Sequence, residues 1–293
     1  MKPLTRLARL TATLLLSAAL AACSTGLNKL TPSSTYSLSA GVSYGSLPRQ
    51  QLDIYRPTSA APAGGWPVVV FFYGGSWNWG QRAEYQFVGE ALASRGVLTL
   101  VADYRLYPEV RYPAFLDDSA QAVAYGLREA GRLGGNPKRV FVMGHSAGAY
   151  NAAMLALDER WLKPTGHSPA ALAGWVGLAG PYDFLPISNK NAQPVFHHPD
   201  YPAASQPLQH VRRDAPPAFL GAAQGDKLVA TERNTVGLAN QLRAAGVPVT
   251  LKLYERIDHV MLVASMAWSL RWVVPVLDDV ATFVKREDLA RMK

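Results

Sequence analysis

Cysteine is almost absent: among 293 residues there is one, Cys23. A single thiol rules out any disulfide within the chain. Charge is also sparse, at 17% of residues, and its net value of +8 comes partly from the first residues. Setting aside Lys2, Arg6 and Arg9 leaves +5, and the remaining cations cluster only as the pairs Lys138-Arg139, Arg212-Arg213 and Lys285-Arg286. No extended basic strip with interleaved aromatics is present, which argues against a nucleic-acid partner and for solvated surface charge. Beyond residue 22 no apolar run reaches spanning length. There is no internal repeat, and no cluster of ligands at metal spacing. His197-His198 with Asp200 comes nearest, but neighbouring side chains point in opposite directions on regular backbone.

The N-terminal 22 residues read as an export signal. A basic start leads into Leu14-Leu15-Leu16-Ser17-Ala18-Ala19-Leu20 and ends in the small residues Ala21-Ala22 before Cys23. That ending resembles the lipobox of bacterial lipoproteins. The resemblance implies a lipid on Cys23, attachment to the membrane through that lipid, and, with Ser24 next, an outer-membrane location facing the periplasm. An ordinary secreted protein with an incidental cysteine is the plainer alternative. Residues 23–39, rich in Ser, Thr, Asn and Gly, read as a flexible tether. Residues 40–293 suit one domain with a substantial core.

That body alternates strand and helix signals. Strands are expected at 51–55, 67–73, 96–102, 140–143, 172–178, 217–222 and 249–254, several of them apolar on both faces. Helices are expected at 82–95, 115–133, 149–155, 231–245 and 268–286. Buried strands separated by helices predict an α/β fold, with a mostly parallel sheet and helices on both faces. Residues 183–214 lose all period, carry five prolines and read as an irregular cap over the strand ends.

Chemistry gathers where strands end. The strand at 140–143 breaks at Gly144-His145-Ser146-Ala147-Gly148 and passes straight into a helix. A serine on so tight a turn projects its hydroxyl away from the backbone. A serine needs an imidazole to take its proton, and the imidazole needs a carboxylate to orient it. Asp226 follows the strand near 220, and His259 follows the last strand. The early strand ends at Tyr73-Gly74-Gly75-Ser76-Trp77, where the amides of Gly75 and Ser76, with that of Ala147, are placed to bind an oxyanion. Asp183 also follows a strand and is the rival acid. His145 is expected to pack under the turn, while His167 and His210 lack strand context. Trp77 and Trp79 either wall a substrate pocket or pack against the cap.

Taken together these segments resemble the α/β-hydrolase family, in particular its alpha/beta hydrolase-3-like branch of carboxylesterases, feruloyl-type esterases and kynurenine-formamidase-like enzymes. The resemblance covers roughly 48–285. It implies the α/β-hydrolase fold, the order nucleophile Ser146, acid Asp226, base His259, and hydrolysis of a small-molecule carboxylic ester through an acyl-enzyme without metal or organic cofactor. An arylformamide or other activated amide is the alternative substrate, and a lipid-anchored binding protein that kept only the fold is the alternative of another kind. One residue departs from the pattern: Tyr73 stands where the family usually has histidine. The loop's amides survive that change, so what differs is how the loop is braced.

Overall fold

The structure, a computed structural model, describes residues 26–288. The signal segment and Cys23 lie outside the described residues. Eight strands form one sheet: β1 (Tyr36–Ser43), β2 (Gln51–Pro57), β3 (Trp66–Phe72), β4 (Leu98–Ala102), β5 (Gly135–His145), β6 (Gly174–Leu178), β7 (Ala218–Ala223) and β8 (Val249–Tyr254). Their spatial order is β1-β2-β4-β3-β5-β6-β7-β8. β2 runs antiparallel to both neighbours, and the rest from β4 to β8 is parallel. Every residue of β3, β4, β6 and β7 is buried, as their unbroken apolar runs anticipate.

The order fixes where the helices go. The chain steps one way from β3 to β4, then reverses across β3 to β5. Right-handed crossovers therefore put α1 (Gln86–Ala93) and α2 (Ala114–Glu129) on opposite faces. From β5 to β8 the chain keeps stepping in one direction. α3 (Ala147–Leu157) and α5 (Gly237–Ala244) thus follow α2, and α3 packs on α2. α7 (Val276–Lys285) returns to pack beside α1. Two further short helices are α4 (Glu159–Leu162) and α6 (His259–Ala264).

Three expectations change. The body starts before residue 40, because β1 pairs with β2 from Tyr36 onward. The segment read as a tether is fastened even earlier: the Asn28 side chain donates to the Ala83 carbonyl at 2.8 Å and accepts from the Phe87 amide at 3.2 Å, and Leu27 packs on the core. The helix expected over 268–286 is broken, with a 3-10 turn at Trp268–Leu270 and the α-helix beginning only after Pro275, which lacks the donor a continuous helix requires. The helix expected over 82–95 opens as a 3-10 turn, Arg82–Tyr85.

The insert between β6 and β7 is irregular, as expected, but firmly seated. Ile187, Ala192, Val195 and Phe196 are buried. Tyr112 donates its amide to the Val195 carbonyl at 2.9 Å, and the Tyr150 hydroxyl donates to the Ser205 carbonyl at 2.7 Å. No helix among the described residues is long and apolar enough to cross a membrane.

Candidate active site

Ser146 occupies the junction between β5 and α3 with φ 54° and ψ −120°. A non-glycine residue rarely takes this conformation, and it persists only where the surroundings over-determine it. Here they do. The Ser146 amide donates to the Leu178 carbonyl at 2.8 Å, and its carbonyl accepts from the amides of Ala149 and Tyr150 at 3.0 and 3.1 Å. A Cβ on Gly144 would lie 2.1 Å from the Gly148 carbonyl carbon, and one on Gly148 2.0 Å from the Phe72 carbonyl oxygen. Both glycines are there because strand, turn and helix backbones nearly touch.

Asp226 and His259 arrive from the ends of β7 and β8. The Asp226 carboxylate approaches His259 Nδ1 to 2.6 Å through Oδ2, while Oδ1 accepts from the amides of Leu228 and Val229 at 2.8 and 3.0 Å. The Asp226 side chain is wholly screened from solvent and the imidazole nearly so. Burial pushes the carboxyl pKa up, but the His259 contact and the two amides outweigh it, so the net shift is downward. A carboxylate so placed accepts from Nδ1–H and leaves Nε2 as the basic nitrogen. His259 opens α6, whose N-cap is Asp258, accepting from the amides of Val260 and Met261. Asp258 is therefore a helix cap. Among the described residues the Ser146 hydroxyl makes no hydrogen bond, so the serine–imidazole link is the one contact of the three not closed. Such links often tighten only when substrate binds.

The rival acid has other work. Asp183 is held by Arg233 at 2.9 and 3.1 Å on the rim of the insert. His197 meets the Tyr112 carbonyl and His198 the Tyr201 hydroxyl, each at 2.8 Å, so the adjacent histidines serve separate partners.

The loop after β3 presses against the nucleophile, since a Cβ on Gly74 would sit 3.0 Å from Ser146 Cβ. It turns through three residues of positive φ, Gly75 (123°), Ser76 (51°) and Trp77 (58°). Glycine takes the first at no cost, and the other two are strained. Among the described residues the amides of Gly75, Ser76 and Ala147 donate to no group, which leaves three N–H donors free around the serine turn.

Two anchors hold this strained loop. Tyr73, the departure from the family pattern, is fully buried; its hydroxyl donates to Asp103 Oδ1 at 2.8 Å and accepts from Arg49 Nη2 at 2.8 Å. Arg82 closes the network, bridging Asp103 and Asp53 at 2.5 and 2.8 Å. Trp77 is the second anchor. It is 2% exposed, ringed by Phe115, Tyr150, Phe184 and Phe196, and its indole N–H donates to Asn151 Oδ1 at 2.9 Å. Of the two readings for Trp77, packing against the insert is the one observed, which corrects its place as a pocket wall. Trp79 remains partly exposed. Arg49, Asp53 and Asn151 carry no local signal in the sequence, because the side chains they meet, Tyr73, Arg82 and Trp77, stand 24 to 74 positions away.

A family model described as BD-FAE matches residues 52–242, most of the body and both loops just described. The chain belongs to the BD-FAE family. Its similarity to curated proteins extends further. It is 26% identical over 239 residues to a probable isoprenylcysteine alpha-carbonyl methylesterase, ICMEL1, of Arabidopsis thaliana, covering 74% of this chain and 49% of that protein. It is 32% identical over 217 residues to carboxylesterase NlhH of Mycobacterium tuberculosis, covering 66% of each. This BD-FAE chain spans between about a third and a half of the length of the plant methylesterases it matches. Among solved structures, esterase B of Lactobacillus rhamnosis, inhibited with a tributyrin phosphonate, superposes with a TM-score of 0.79 over 100% of this chain and 97% of its own at 20% identity. A truncated carbohydrate esterase from gut microbiota gives 0.73 over 89% and 99% at 19% identity. At those identities the likeness is one of fold, and the fold is the α/β-hydrolase fold expected from the sequence.

Proposed function

We propose that this chain is a serine carboxylesterase with Ser146 as nucleophile, His259 as base and Asp226 as the acid that orients it. The observation that carries this reading is the 2.6 Å contact between His259 Nδ1 and a solvent-screened Asp226 whose second oxygen is fixed by two amides. In the reaction, His259 Nε2 takes the hydroxyl proton as Ser146 Oγ bonds to the acyl carbon. The carbonyl oxygen, now negative, is met by the amides of Gly75, Ser76 and Ala147. His259 then gives its proton to the leaving alcohol as the ester C–O bond breaks. A water molecule, deprotonated by the same imidazole, adds to the acyl-enzyme; the bond to Ser146 Oγ then breaks, His259 returns the proton to that oxygen, and the acid leaves. No step calls for a metal or organic cofactor. An ester is favoured over an activated amide because relatives such as NlhH are named as esterases.

The test is hydrolysis of short p-nitrophenyl esters beside N-formylkynurenine, with fluorophosphonate labelling and Ser146→Ala as the blank. Expected are ester turnover and a label, both lost by about 10⁴-fold or more in the variant. Turnover of the formamide alone would reassign the substrate. Label and turnover persisting in Ser146→Ala would reject the nucleophile.

We further propose that Cys23 carries the lipid and holds the body at the outer membrane, facing the periplasm. Support comes from the apolar run Leu14–Leu20, the small residues Ala21-Ala22 and Cys23 directly after them. Mass spectrometry of the N-terminal peptide, with Cys23→Ala released from membranes, tests it. An unmodified thiol in the membrane fraction rejects it.

A further inference from the structure

We propose that His145 is a positioning residue that fastens the backbone of His259 to the nucleophile turn. The inference rests on the reading of Ser146, Asp226 and His259 given above and assigns a role to a side chain outside that set. His145 is the last residue of β5, next to Ser146, and it is 5% exposed. Its Nε2 lies 3.0 Å from the carbonyl oxygen of His259. A carbonyl only accepts, so Nε2 carries the hydrogen and Nδ1 is bare. The two imidazoles lie 4.8 Å apart, tilted by 49°. On its other side the ring faces the oxyanion loop, where a Cβ on Gly74 would come within 3.2 Å of His145 Nδ1. One ring therefore touches the serine turn, the segment that carries the base and the loop that carries the free amides.

Nδ1 is buried and, among the described residues, has no hydrogen-bond partner. An unsatisfied buried acceptor lowers stability, so an apolar side chain would serve better here if packing were the only requirement. What an apolar residue cannot do is donate to the His259 carbonyl. Burial is also what lets a second imidazole sit so close to the base. The ring's pKa is pushed down to about 3, by desolvation first and by His259 second, with Asp226 opposing. It stays neutral while His259 takes and returns its proton, so no second cation opposes the imidazolium. The titratable groups that act on the ring are His259 and Asp226.

The experiment compares wild type with His145→Phe, which keeps a ring and loses the donor, and with His145→Gln, which keeps a neutral N–H donor. Turnover of p-nitrophenyl acetate is measured across pH, with Ser146→Ala as the blank and circular dichroism to report folding. For His145→Phe, kcat should fall roughly tenfold or more while KM moves less than about threefold, because a loosened base costs chemistry rather than binding. His145→Gln should return kcat to within about threefold of wild type. If His145→Phe does not fold, His145→Leu carries the same comparison. Wild-type kcat in the apolar variant, or equal losses in the apolar and glutamine variants, overturn the proposal while leaving the nucleophile intact. Turnover surviving in Ser146→Ala overturns the reading beneath it.

Discussion

The two sides of the candidate site are held in opposite ways. On one side the loop after β3 is sunk into the molecule. Tyr73 joins Arg49 and Asp103 from below, and Trp77 sits in a ring of four aromatic side chains. On the other side Asp226 occupies a surface turn between exposed Gly225 and Lys227, with Leu228 71% exposed beyond it. His259 begins a helix of only six residues. The difference follows from what each side must do. Amides that meet a developing charge must be fixed beforehand, since any rearrangement would add to the barrier. An imidazole that passes a proton between partners needs its tautomer and direction set, and one carboxylate does that.

Substitutions on the second side should therefore strike turnover hardest, and those on the first side stability. Asp226→Asn leaves the shape but presents the wrong tautomer of His259, and kcat should drop by about 10³- to 10⁴-fold, measured on a p-nitrophenyl ester. A drop of less than tenfold would mean the acid side matters no more than a surface turn. Trp77→Ala empties the centre of the aromatic ring and leaves Asn151 Oδ1 without its indole donor. It should cost about 3–5 kcal/mol in urea unfolding. Only if Trp77 were a solvent-facing wall would the cost fall within about 0.5 kcal/mol.

Between the two sides lies His145, and pH separates its effect from the others. A histidine held near pKa 3 in the fold takes up a proton freely only when unfolded, so the unfolded state binds more protons between about pH 3 and 6.5. Stability is thus full above pH 6.5 and falls as pH drops toward 3. At pH 5 the loss is about 2 kcal/mol relative to neutrality. His145→Gln should remove that part of the acid sensitivity in melts at pH 5 and pH 7.5. An identical acid shift in both proteins would show the ring is not kept neutral. The smallest effect is expected for Tyr73→Phe, which removes the hydroxyl between Arg49 and Asp103 but leaves Arg82 on Asp103. It should cost about 0.5–1.5 kcal/mol by thermal or urea unfolding, with kcat nearly unchanged. A large loss of kcat instead would make the tyrosine part of the loop's alignment.

Much of this arrangement was legible in the chain. The unbroken apolar runs of β3 and β4, the glycine-flanked Ser146, and an acid and a histidine each following a strand led to the right fold and brought Asp226 to His259. The misses have physical causes. β1 is mostly exposed and reads Tyr-Ser-Leu-Ser-Ala-Gly-Val-Ser, without the clean alternation of a strand with one buried face, so it passed for tether. α6 is too short to show a period, which hid that the base stands at a helix start. Pro275 was passed over as a helix break. The network under Tyr73 could not be seen, because contact across a fold leaves no mark in local spacing.

The insert carries one last consequence. Val195 and Phe196 are fully buried, Phe184 stacks on Trp77, and Phe196 meets the same indole edge to face. A segment bolted in this way is not a hinged flap, and lifting it would tear open the aromatic core. With the insert fixed, the esterase proposed above has no closed form for an oil–water boundary to unlock. Its rate on tributyrin should then rise smoothly with dissolved substrate and show no jump where the ester begins to form droplets.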